Sequence, residues 1–388
     1  MNSSTSNSHA VQRIVITGGT GYIGYALLHK IRELFMDSLS PVAIVRASSD
    51  ITRLQRLLDY PSEHDPVIIC DLQDVESLVR GVKDADIVVH LAAEMDFFPK
   101  NKENLLSVNV DGTRNLLEAC ACEAESSKRN IRFVYVSSTE AIGTTDGVSK
   151  ADESHALNPD SYYGYTKVLA ESVVEEYRQR LDTVIVRPTG VFGPDERFFF
   201  LELMQMVAKG FTVVLPSPMT GRTCLTHIDD IVNGILACAT HPKAPGNTYN
   251  LCTDEAVSGK ALVQTVADVL QCPRPIFSLP PSVGGVLIRL VAPIMNMGKR
   301  RVFMYHPKTV SDSMAYREYS NAKIRRELGF KPKYTMLEGV EETCKYELEV
   351  GTIKRSTIPP AIKRCIDLAA VVLFAISQTM GRRHRHAD

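Results

Sequence analysis

The stretch that decides the fold reads Arg13-Ile14-Val15-Ile16-Thr17-Gly18-Gly19-Thr20-Gly21-Tyr22-Ile23-Gly24. An apolar β-type run leads straight into glycines and then into a helical pattern, the order of the first strand, loop and helix of a dinucleotide-binding unit. A phosphate approaches backbone amides closely only where no Cβ intrudes, so Gly18, Gly21 and Gly24 suit a pyrophosphate at the helix start. The spacing is GxxGxxG rather than the standard GxGxxG, and a tight strand-to-helix turn with close packing is the alternative explanation.

Further apolar runs follow along the chain, with helical patterns between them. The predicted strands are Arg13–Thr17, Pro41–Val45, Val67–Cys70, Ile87–His90, Ile131–Val136 and Thr183–Val186. Apolar residues at helical spacing predict helices over Tyr22–Leu34 and Leu105–Ala121. This alternation predicts an α/β protein with a Rossmann-type, doubly wound parallel sheet, whose carboxyl edge holds the ligand site.

Composition narrows the class of protein. Lys and Arg number 44 and Asp and Glu 45 among 388 residues, so a net charge of −1 gives no overall attraction to nucleic acid or to anionic surfaces. The nine cysteines are scattered with no CxxC and no His at ligand spacing, which predicts reduced thiols in a cytoplasmic protein and no metal site. No run of 18 apolar residues is present, so no spanning helix is expected.

The end of the second strand predicts the cofactor. An acid there would bind a free ribose 2′-hydroxyl, whereas a base accommodates a 2′-phosphate. This chain has Arg46 followed by Ser48 and Ser49, with no acid before Asp50, so NADP is expected ahead of NAD. Asp71, after the third strand, could meet the adenine edge or cap the helix that follows.

A second group of residues indicates acid/base chemistry. Tyr163 and Lys167 lie four apart in a helical pattern and therefore share one helix face, so the ammonium can stabilise a phenolate and lower its pKa. They follow a strand that ends in the hydroxyls of Ser137 and Ser138. A Tyr/Ser pair can move a proton to or from a carbinol oxygen without a metal.

Taken in order, these motifs resemble the extended short-chain dehydrogenase/reductases, and within them the NAD-dependent epimerase/dehydratase family, over residues 13 to about 348. The motifs are Thr17-Gly18-x-x-Gly21-x-x-Gly24, His90-Leu91-Ala92-Ala93, Asn109-Val110-Asp111-Gly112-Thr113, Ser137-Ser138, Tyr163-x-x-x-Lys167 and Arg187-Pro188-x-x-x-Phe192-Gly193-Pro194. The loop Ala93–Phe97 is similar to that of dihydroflavonol reductases, and Tyr319–Pro332 to the closing segment of 3β-hydroxysteroid dehydrogenases.

The resemblance implies roles for individual residues. Tyr163 is the proton donor or acceptor, Lys167 is its partner and contacts the cofactor ribose, and Ser138, five residues before Gly143, orients the substrate oxygen. The implied cofactor contacts, besides Tyr163 and Lys167, are Thr17, Gly18, Thr20, Gly21, Tyr22, Ile23, Gly24, Arg46, Asp71, Leu72, Leu91, Ala92, Ala93, Asn109 and Pro188. Asp229 and Asp230 are expected to cap a helix rather than to act in catalysis.

We predict four segments. Residues 1–12 form a disordered N-terminus without a secretory signal, and 13–194 with about 222–253 form the NAD(P)-binding domain. About 195–221 with 254–349 form a smaller substrate domain, in which Pro280–Met297 is either a core or lid element or a wall for an apolar substrate.

Residues 350–388 form a C-terminal tail. The apolar Leu368–Ile376 is too short to span a bilayer, but with the basic residues around it the tail could lie at an anionic membrane surface. The alternative is a helix docked on the protein itself or at a subunit interface, which would make a homodimer. Lys363-Arg364-x-x-Asp367-Leu368 also faintly resembles the opening of polyprenyl-phosphate sugar transferases.

The expected function is oxidation of a secondary alcohol, or reduction of a ketone, on a small-molecule substrate that is steroid-like or flavonoid-like. The first alternative is a nucleotide-sugar epimerase or dehydratase that keeps its NAD bound. The second, from another class, is a non-catalytic NADP-sensing protein, against which the intact Ser138, Tyr163 and Lys167 argue.

Overall fold

The computed structural model describes residues 11–59, 66–97, 99–208, 215–216, 221–272, 278–279, 286 and 314–355. The predicted Pro280–Met297 element, except Val286, and the tail from residue 356 therefore lie outside the described residues, as do residues 1–10.

A parallel sheet of seven strands forms the centre of the molecule. Its strands are β1 (Gln12–Thr17), β2 (Leu39–Val45), β3 (Val67–Ile69), β4 (Ile87–His90), β5 (Arg132–Val136), β6 (Asp182–Pro188) and β11 (Thr248–Leu251), in the spatial order β11-β6-β5-β4-β1-β2-β3. The predicted fold class is confirmed. β1 begins at Gln12, inside the stretch predicted to be disordered, because the Gln12 amide donates to the carbonyl of Ser38 at 2.9 Å.

The remaining strands are short and lie outside this sheet. They are β7 (Gly190–Phe192), β8 (Leu215–Pro216), β9 (Arg222–Thr223), β10 (Leu225–His227), β12 (Val257–Ser258), β13 (Ser278–Leu279) and β14 (Tyr316–Arg317). β7 pairs with β10, and β9 pairs with β12 and β14.

Helices cover both faces of the sheet. They are α1 (Tyr22–Leu34), α2 (Thr52–Leu58), α3 (Val75–Gly81), α4 (Lys102–Leu106), α5 (Gly112–Ser127), α6 (Tyr162–Glu176), α7 (Phe199–Ala208), α8 (Ile228–Thr240), α9 (Gly259–Val269), α10 (Ala322–Leu328) and α11 (Met336–Glu349). Alternate residues of β1 serve the two faces, since Ile14 and Ile16 pack in the core with α1 and α8, and Val15 in the core with α5 and α6.

The predicted helix Leu105–Ala121 proved to be composite. It begins at Lys102, passes through a π-helical turn at Ser107–Asp111, and continues as α5 to Ser127. A π turn inserts one residue into the helical repeat, which an apolar periodicity of 3.6 does not register.

A further core lies among α7, α9 and α11, built on Phe200, Val266 and Val340. These helices belong to the segments predicted as a substrate domain, whereas β11 extends the main sheet beside β6. The division into two domains stays a prediction. Within the described residues, no helix is both long and apolar enough to cross a bilayer.

Candidate functional site

The glycine loop connects β1 to α1 at the carboxyl edge of the sheet. Gly18 has a φ of +72°, and a Cβ there would lie 2.8 Å from the Ala92 nitrogen. A Cβ at Gly24 would lie 2.2 Å from the Gly18 carbonyl oxygen. Close packing within the protein therefore explains these two glycines, as the alternative interpretation of the sequence held.

Gly21 differs from the other two because it is exposed and its surroundings are less crowded. It is exposed, precedes α1 as its N-cap without a side-chain hydrogen bond, and a Cβ there would meet only the Gly18 oxygen at 3.1 Å. The first turn of α1 contains no acidic residue. The amides at this helix start thus form a cradle that fits an anionic group such as a pyrophosphate, with the exposed Thr20 beside it.

Thr17 and His90 fix the loop after β4 against the glycine loop. The Thr17 hydroxyl accepts hydrogen bonds from the amides of Leu91 and Ala92, at 3.2 and 3.1 Å, and lies 2.7 Å from His90 Nδ1. The other ring nitrogen of His90 lies 3.0 Å from the Thr113 hydroxyl. The structure therefore brings the predicted Leu91-Ala92-Ala93 segment beside Gly18.

Tyr22 and Ile23 lie in the first turn of α1. Ile23 packs against the main core. The buried Tyr22 hydroxyl has no hydrogen-bond partner among the described residues, and a Cβ at Gly193 would lie 2.9 Å from it, so Tyr22 packs against the Phe192-Gly193-Pro194 motif. Pro188 is buried at the end of β6, opposite Leu251 of β11.

Arg46 follows β2 at the same edge of the sheet and is exposed. The nearest acid, Asp50, is engaged locally, because its carboxylate accepts from the Thr52 amide at 3.0 Å and from the Thr52 hydroxyl at 2.7 Å. These bonds hold the pKa of Asp50 below its usual range. The position next to β2 thus presents an exposed base.

Asp71 does not cap a helix. α3 begins at Val75, and its cap is Asp74, whose carboxylate accepts from the Ser77 amide at 3.2 Å. Asp71 instead accepts from the Gln73 amide at 2.9 Å and stays exposed. The neighbouring Leu72 is half-buried against Gly112.

Tyr163 and Lys167 share the inner face of α6, as their spacing predicted. They are 8% and 3% exposed, and the Lys167 ammonium lies 5.7 Å from the centre of the Tyr163 ring. Lys167 donates to the Val136 carbonyl at 2.9 Å, which ties α6 to the end of β5 directly before Ser137 and Ser138. Phe97, from the loop after β4, covers Tyr163 with a ring separation of 5.4 Å.

The protonation of this pair differs from the prediction. Burial raises the pKa of Tyr163 above its usual range, and the Glu140 carboxylate adds to the effect. Burial also lowers the pKa of Lys167 to about 8. Desolvation thus outweighs the expected stabilisation of a phenolate by the ammonium, because the low-polarity surroundings disfavour both charged forms.

The two serines after β5 have different surroundings. Ser137 is buried and donates to the Glu171 carboxylate at 2.5 Å. Ser138 is half-buried, and its hydroxyl accepts from the Glu140 amide at 3.1 Å, at the start of a 3-10 turn (Thr139–Ala141). Ser138 therefore keeps its own proton free to donate, as expected of the residue that orients a substrate oxygen.

Asn109 lies in the π turn and connects two parts of the site. Its side-chain oxygen accepts from the Glu94 amide at 2.7 Å, and its nitrogen donates to the Glu94 carbonyl at 2.9 Å and to the Thr166 hydroxyl at 3.0 Å. Thr166 in turn donates to the Tyr163 carbonyl at 2.8 Å. The side chain predicted as a cofactor contact thus joins the loop after β4 to α6.

A cavity of about 300 Å³ opens beside the loop after β4. Its lining residues are Glu94, Asp96, Lys100, Asn101, Asn104 and Leu105. Most of them are polar, so the cavity offers hydrogen-bonding groups beside the loop that carries Phe97.

Asp229 and Asp230 do not cap α8. The cap is His227, whose Nδ1 accepts from the Asp229 amide at 3.3 Å. Asp230 is buried and accepts from the amides of Lys333 and Tyr334, so it connects α8 to the chain before α11. Within the described residues no cluster of potential metal ligands is found.

Sequence reasoning missed Glu171 and Arg187 as parts of the site. Both are buried and form a two-point ion pair, with nitrogen-to-oxygen distances of 2.9 and 2.6 Å. The sequence did contain a signal for Glu171, because it lies four residues beyond Lys167 and so shares the helix face that carries Tyr163.

Comparison with known proteins agrees with this geometry. The family described as NAD dependent epimerase/dehydratase matches residues 14–252. A 3-beta-hydroxysteroid dehydrogenase of Mycolicibacterium neoaurum is 24% identical over 374 residues, covering 90% of this chain and 95% of that protein. A UDP-glucose 4-epimerase of Vibrio cholerae is 25% identical over 350 residues, covering 87% and 96%.

The structure is also similar to that of a dTDP-glucose 4,6-dehydratase from Bacillus anthracis solved in complex with NAD. The TM-score is 0.67 at 19% identity, with 87% of this chain and 97% of that chain covered. At this identity the likeness concerns the fold.

The chain belongs to the NAD dependent epimerase/dehydratase family, and so to the extended short-chain dehydrogenase/reductases. It is an enzyme of that type, which confirms the expectation of an enzyme over a non-catalytic sensor. The family depends on a nicotinamide dinucleotide.

Proposed function

We propose that the protein is an oxidoreductase that transfers a hydride between NADP(H) and a carbinol or ketone carbon of a small-molecule substrate. The observation that carries the proposal is the bond from Lys167 to the Val136 carbonyl, at 2.9 Å. It anchors the α6 face that bears Tyr163 to the strand end that bears Ser138. The side chains of Tyr163 and Ser138 are therefore both positioned at the carboxyl edge of the sheet, where the glycine loop also lies.

The chain's own residues have distinct parts in this reaction. Tyr163 gives its phenolic proton to the substrate oxygen in reduction and takes it back in oxidation. Ser138 donates a hydrogen bond to that oxygen, and the Lys167 ammonium offsets the charge left on the phenolate. The bound dinucleotide supplies or accepts the hydride.

The preference for NADP rests on Arg46. It is the exposed base after β2, and Asp50, the nearest acid along the chain, is held by Thr52. A guanidinium matches a 2′-phosphate in charge and geometry, whereas a free ribose hydroxyl calls for a carboxylate.

For the substrate we propose a steroid-like or flavonoid-like ketone or alcohol. The support is the similarity to a 3-beta-hydroxysteroid dehydrogenase and the aromatic cover that Phe97 gives Tyr163. The polar cavity beside Glu94 suits a hydroxyl-bearing end of such a compound.

A nucleotide-sugar epimerase is the second candidate, favoured by the similarity to a UDP-glucose 4-epimerase. Such an enzyme would oxidise and re-reduce one substrate on a retained NAD.

The state of the purified protein separates the two functions. Denaturation followed by mass spectrometry identifies any dinucleotide carried through purification, and fluorescence titration gives the affinities of NADPH and NADH. We expect exchangeable cofactor and tighter binding of NADPH. One tightly held NAD per chain would contradict the proposal and favour the epimerase.

A further inference from the structure

A buried charge network lies behind the Tyr163–Lys167 pair. Glu171 accepts from Arg187 Nε at 2.9 Å, from Arg187 Nη2 at 2.6 Å and from the Ser137 hydroxyl at 2.5 Å. Glu171 and Arg187 are 4% and 5% exposed. The third guanidinium nitrogen, Nη1, is buried without a hydrogen-bond partner among the described residues.

The network continues the line of catalytic candidates along α6. Tyr163, Lys167 and Glu171 lie at i, i+4 and i+8, so each side chain neighbours the next on one helix face. Lys167 itself donates to the carbonyl of Val136, which directly precedes Ser137. Two hydrogen bonds therefore connect this face of α6 to the end of β5, one between Lys167 and Val136 and one between Glu171 and Ser137.

Charge counting gives the network a chemical meaning. Lys167, Arg187 and Glu171 together carry one net positive charge, which a phenolate on Tyr163 would balance. Without Glu171, the two buried cations would lose this negative charge, and the ammonium, which alone of the two can lose its proton readily, would hold its proton less tightly.

We propose that Glu171, held by Arg187 and Ser137, is a positioning residue that keeps the Lys167 ammonium charged and in place beside Tyr163. The proposal rests on the role proposed above for Tyr163 and Lys167. It accords with the pKa of Lys167, which burial lowers to about 8 although the Glu171 carboxylate opposes the shift.

Other groups around Lys167 do not replace this carboxylate. On the neighbouring strands lie the rings of His90 and Tyr135, and burial disfavours the charged form of each, lowering the pKa of His90 to about 3 and raising that of Tyr135. Glu140, on the 3-10 turn, is held by Arg317 at 2.8 Å. Glu171 is thus the buried carboxylate on the face of Lys167.

A purely structural role for the ion pair makes a different prediction. A pair that only joins β6 to α6 would affect stability and leave the titration of Lys167 unchanged. The discriminating measurement is therefore the titration midpoint of Lys167 in the full chain, followed by NMR of the side-chain carbon and nitrogen in lysine-labelled protein. The loss of one signal in Lys167→Arg assigns the resonance.

The test compares the wild type with Glu171→Gln, which keeps an acceptor for Ser137 but removes the charge. We expect the Lys167 midpoint to fall by about one pH unit or more, the effect of losing an opposite charge one helical turn away. Glu347→Gln is the matched control, because Glu347 is also fully buried and bound by an arginine, Arg197, but lies on α11. It should leave the midpoint unchanged.

A double variant keeps the test decisive if the unpaired Arg187 prevents folding. Glu171→Gln with Arg187→Met removes both charges, a change that buried ion pairs often tolerate. The midpoint should lie below that of the wild type in the double variant and lower still in Glu171→Gln. A wild-type midpoint in either folded variant would overturn the proposal. Because no substrate is used, the result stands apart from the identity of the reaction.

Discussion

Burial decides the chemistry of individual residues at this site. Tyr163 and Lys167 are both nearly inaccessible to solvent. The pKa of Tyr163 is raised and that of Lys167 is lowered, and both shifts favour the neutral side chain. The spacing of the two residues was visible in the sequence, whereas their desolvation was not, because it depends on Phe97 and on strands distant in the chain. The same limit applies to Asp230, whose bonds run to residues 333 and 334.

Tyr163→Phe should lose turnover by about 10²–10⁴-fold, since it removes the proton that reaches the substrate oxygen, while NADPH affinity stays near that of the wild type. Tyr165→Phe is the matched control, because Tyr165 lies on the same helix but is 44% exposed. Steady-state kinetics with a ketone that the wild type reduces, and NADPH titration, check both variants. A fully active Tyr163→Phe would refute the assignment.

Arg46→Ala should narrow the preference for NADPH over NADH. A charge-assisted bond contributes about 1.5–3 kcal/mol, so we expect the wild type to favour NADPH by roughly 10- to 100-fold and the variant to lose most of that ratio. Fluorescence titration of both dinucleotides measures it. Arg80→Ala, an exposed arginine on α3, should keep the wild-type ratio. Equal affinities of the wild type for the two cofactors would rule the preference out.

At the scale of elements, the six predicted strands correspond to β1–β6, because each is a short and largely apolar run. β11 and the strands outside the main sheet were not predicted, since each is only two to four residues long. The π turn did not, since one inserted residue leaves no mark in an apolar pattern. The helix caps Asp74 and His227 were missed as well, because capping depends on where the first turn closes. The glycine loop was predicted as a unit, yet packing within the protein accounts for Gly18 and Gly24, whereas a Cβ at Gly21 would meet only the Gly18 oxygen.

Substitution of two glycines separates those roles. Gly18→Ala should lower the free energy of unfolding by about 1–3 kcal/mol, because the backbone is left-handed there and a Cβ would meet Ala92. Gly21→Ala should affect stability less but weaken NADPH binding, since its Cβ would intrude on the open cradle. Urea unfolding and NADPH titration of both variants test this. Wild-type cofactor affinity in Gly21→Ala would argue against the pyrophosphate site.

His90 of β4 is buried and its ring contacts the Thr17 hydroxyl of β1, and this histidine should make the stability of the fold sensitive to acid. Burial lowers the pKa of His90 to about 3, with a smaller contribution from Lys167, whereas an unfolded histidine titrates near 6.5. The unfolded chain therefore binds a proton that the folded chain refuses, so stability is complete above about pH 6.5 and is lost progressively as the pH falls toward 3. The contribution of His90 alone should make the free energy of unfolding about 2 kcal/mol lower at pH 5 than at pH 7.

His90→Asn should remove that difference between the two pH values, whatever its effect on stability at pH 7. His155→Asn, at an exposed histidine, should retain it. Urea unfolding of the three proteins at both pH values gives the comparison. An unchanged acid sensitivity in His90→Asn would show that His90 is not its source.

On the scale of the whole molecule, the order of the motifs was sufficient to predict a doubly wound sheet and the family. The substrate was not predictable in the same way, because the chain is similar at 24–25% identity both to a hydroxysteroid dehydrogenase and to a nucleotide-sugar epimerase. The shared sheet carries the glycine loop and faces the Tyr163–Lys167 pair, whereas substrate selection generally depends on loops and elements outside such a sheet. The proposal on Glu171 concerns the shared part, whereas the proposals on NADP and on net hydride transfer distinguish the two activities.

The central claim is net hydride transfer to a substrate that leaves reduced. Its most direct test gives the full-length protein NADPH that carries two deuterium atoms at C4, together with steroid-like and flavonoid-like ketones and with nucleotide sugars. We predict that one deuterium appears on the carbinol carbon of the product for each NADPH oxidised. Conversion of a nucleotide sugar to its epimer, with no deuterium in the product and no net loss of NADPH, would contradict it.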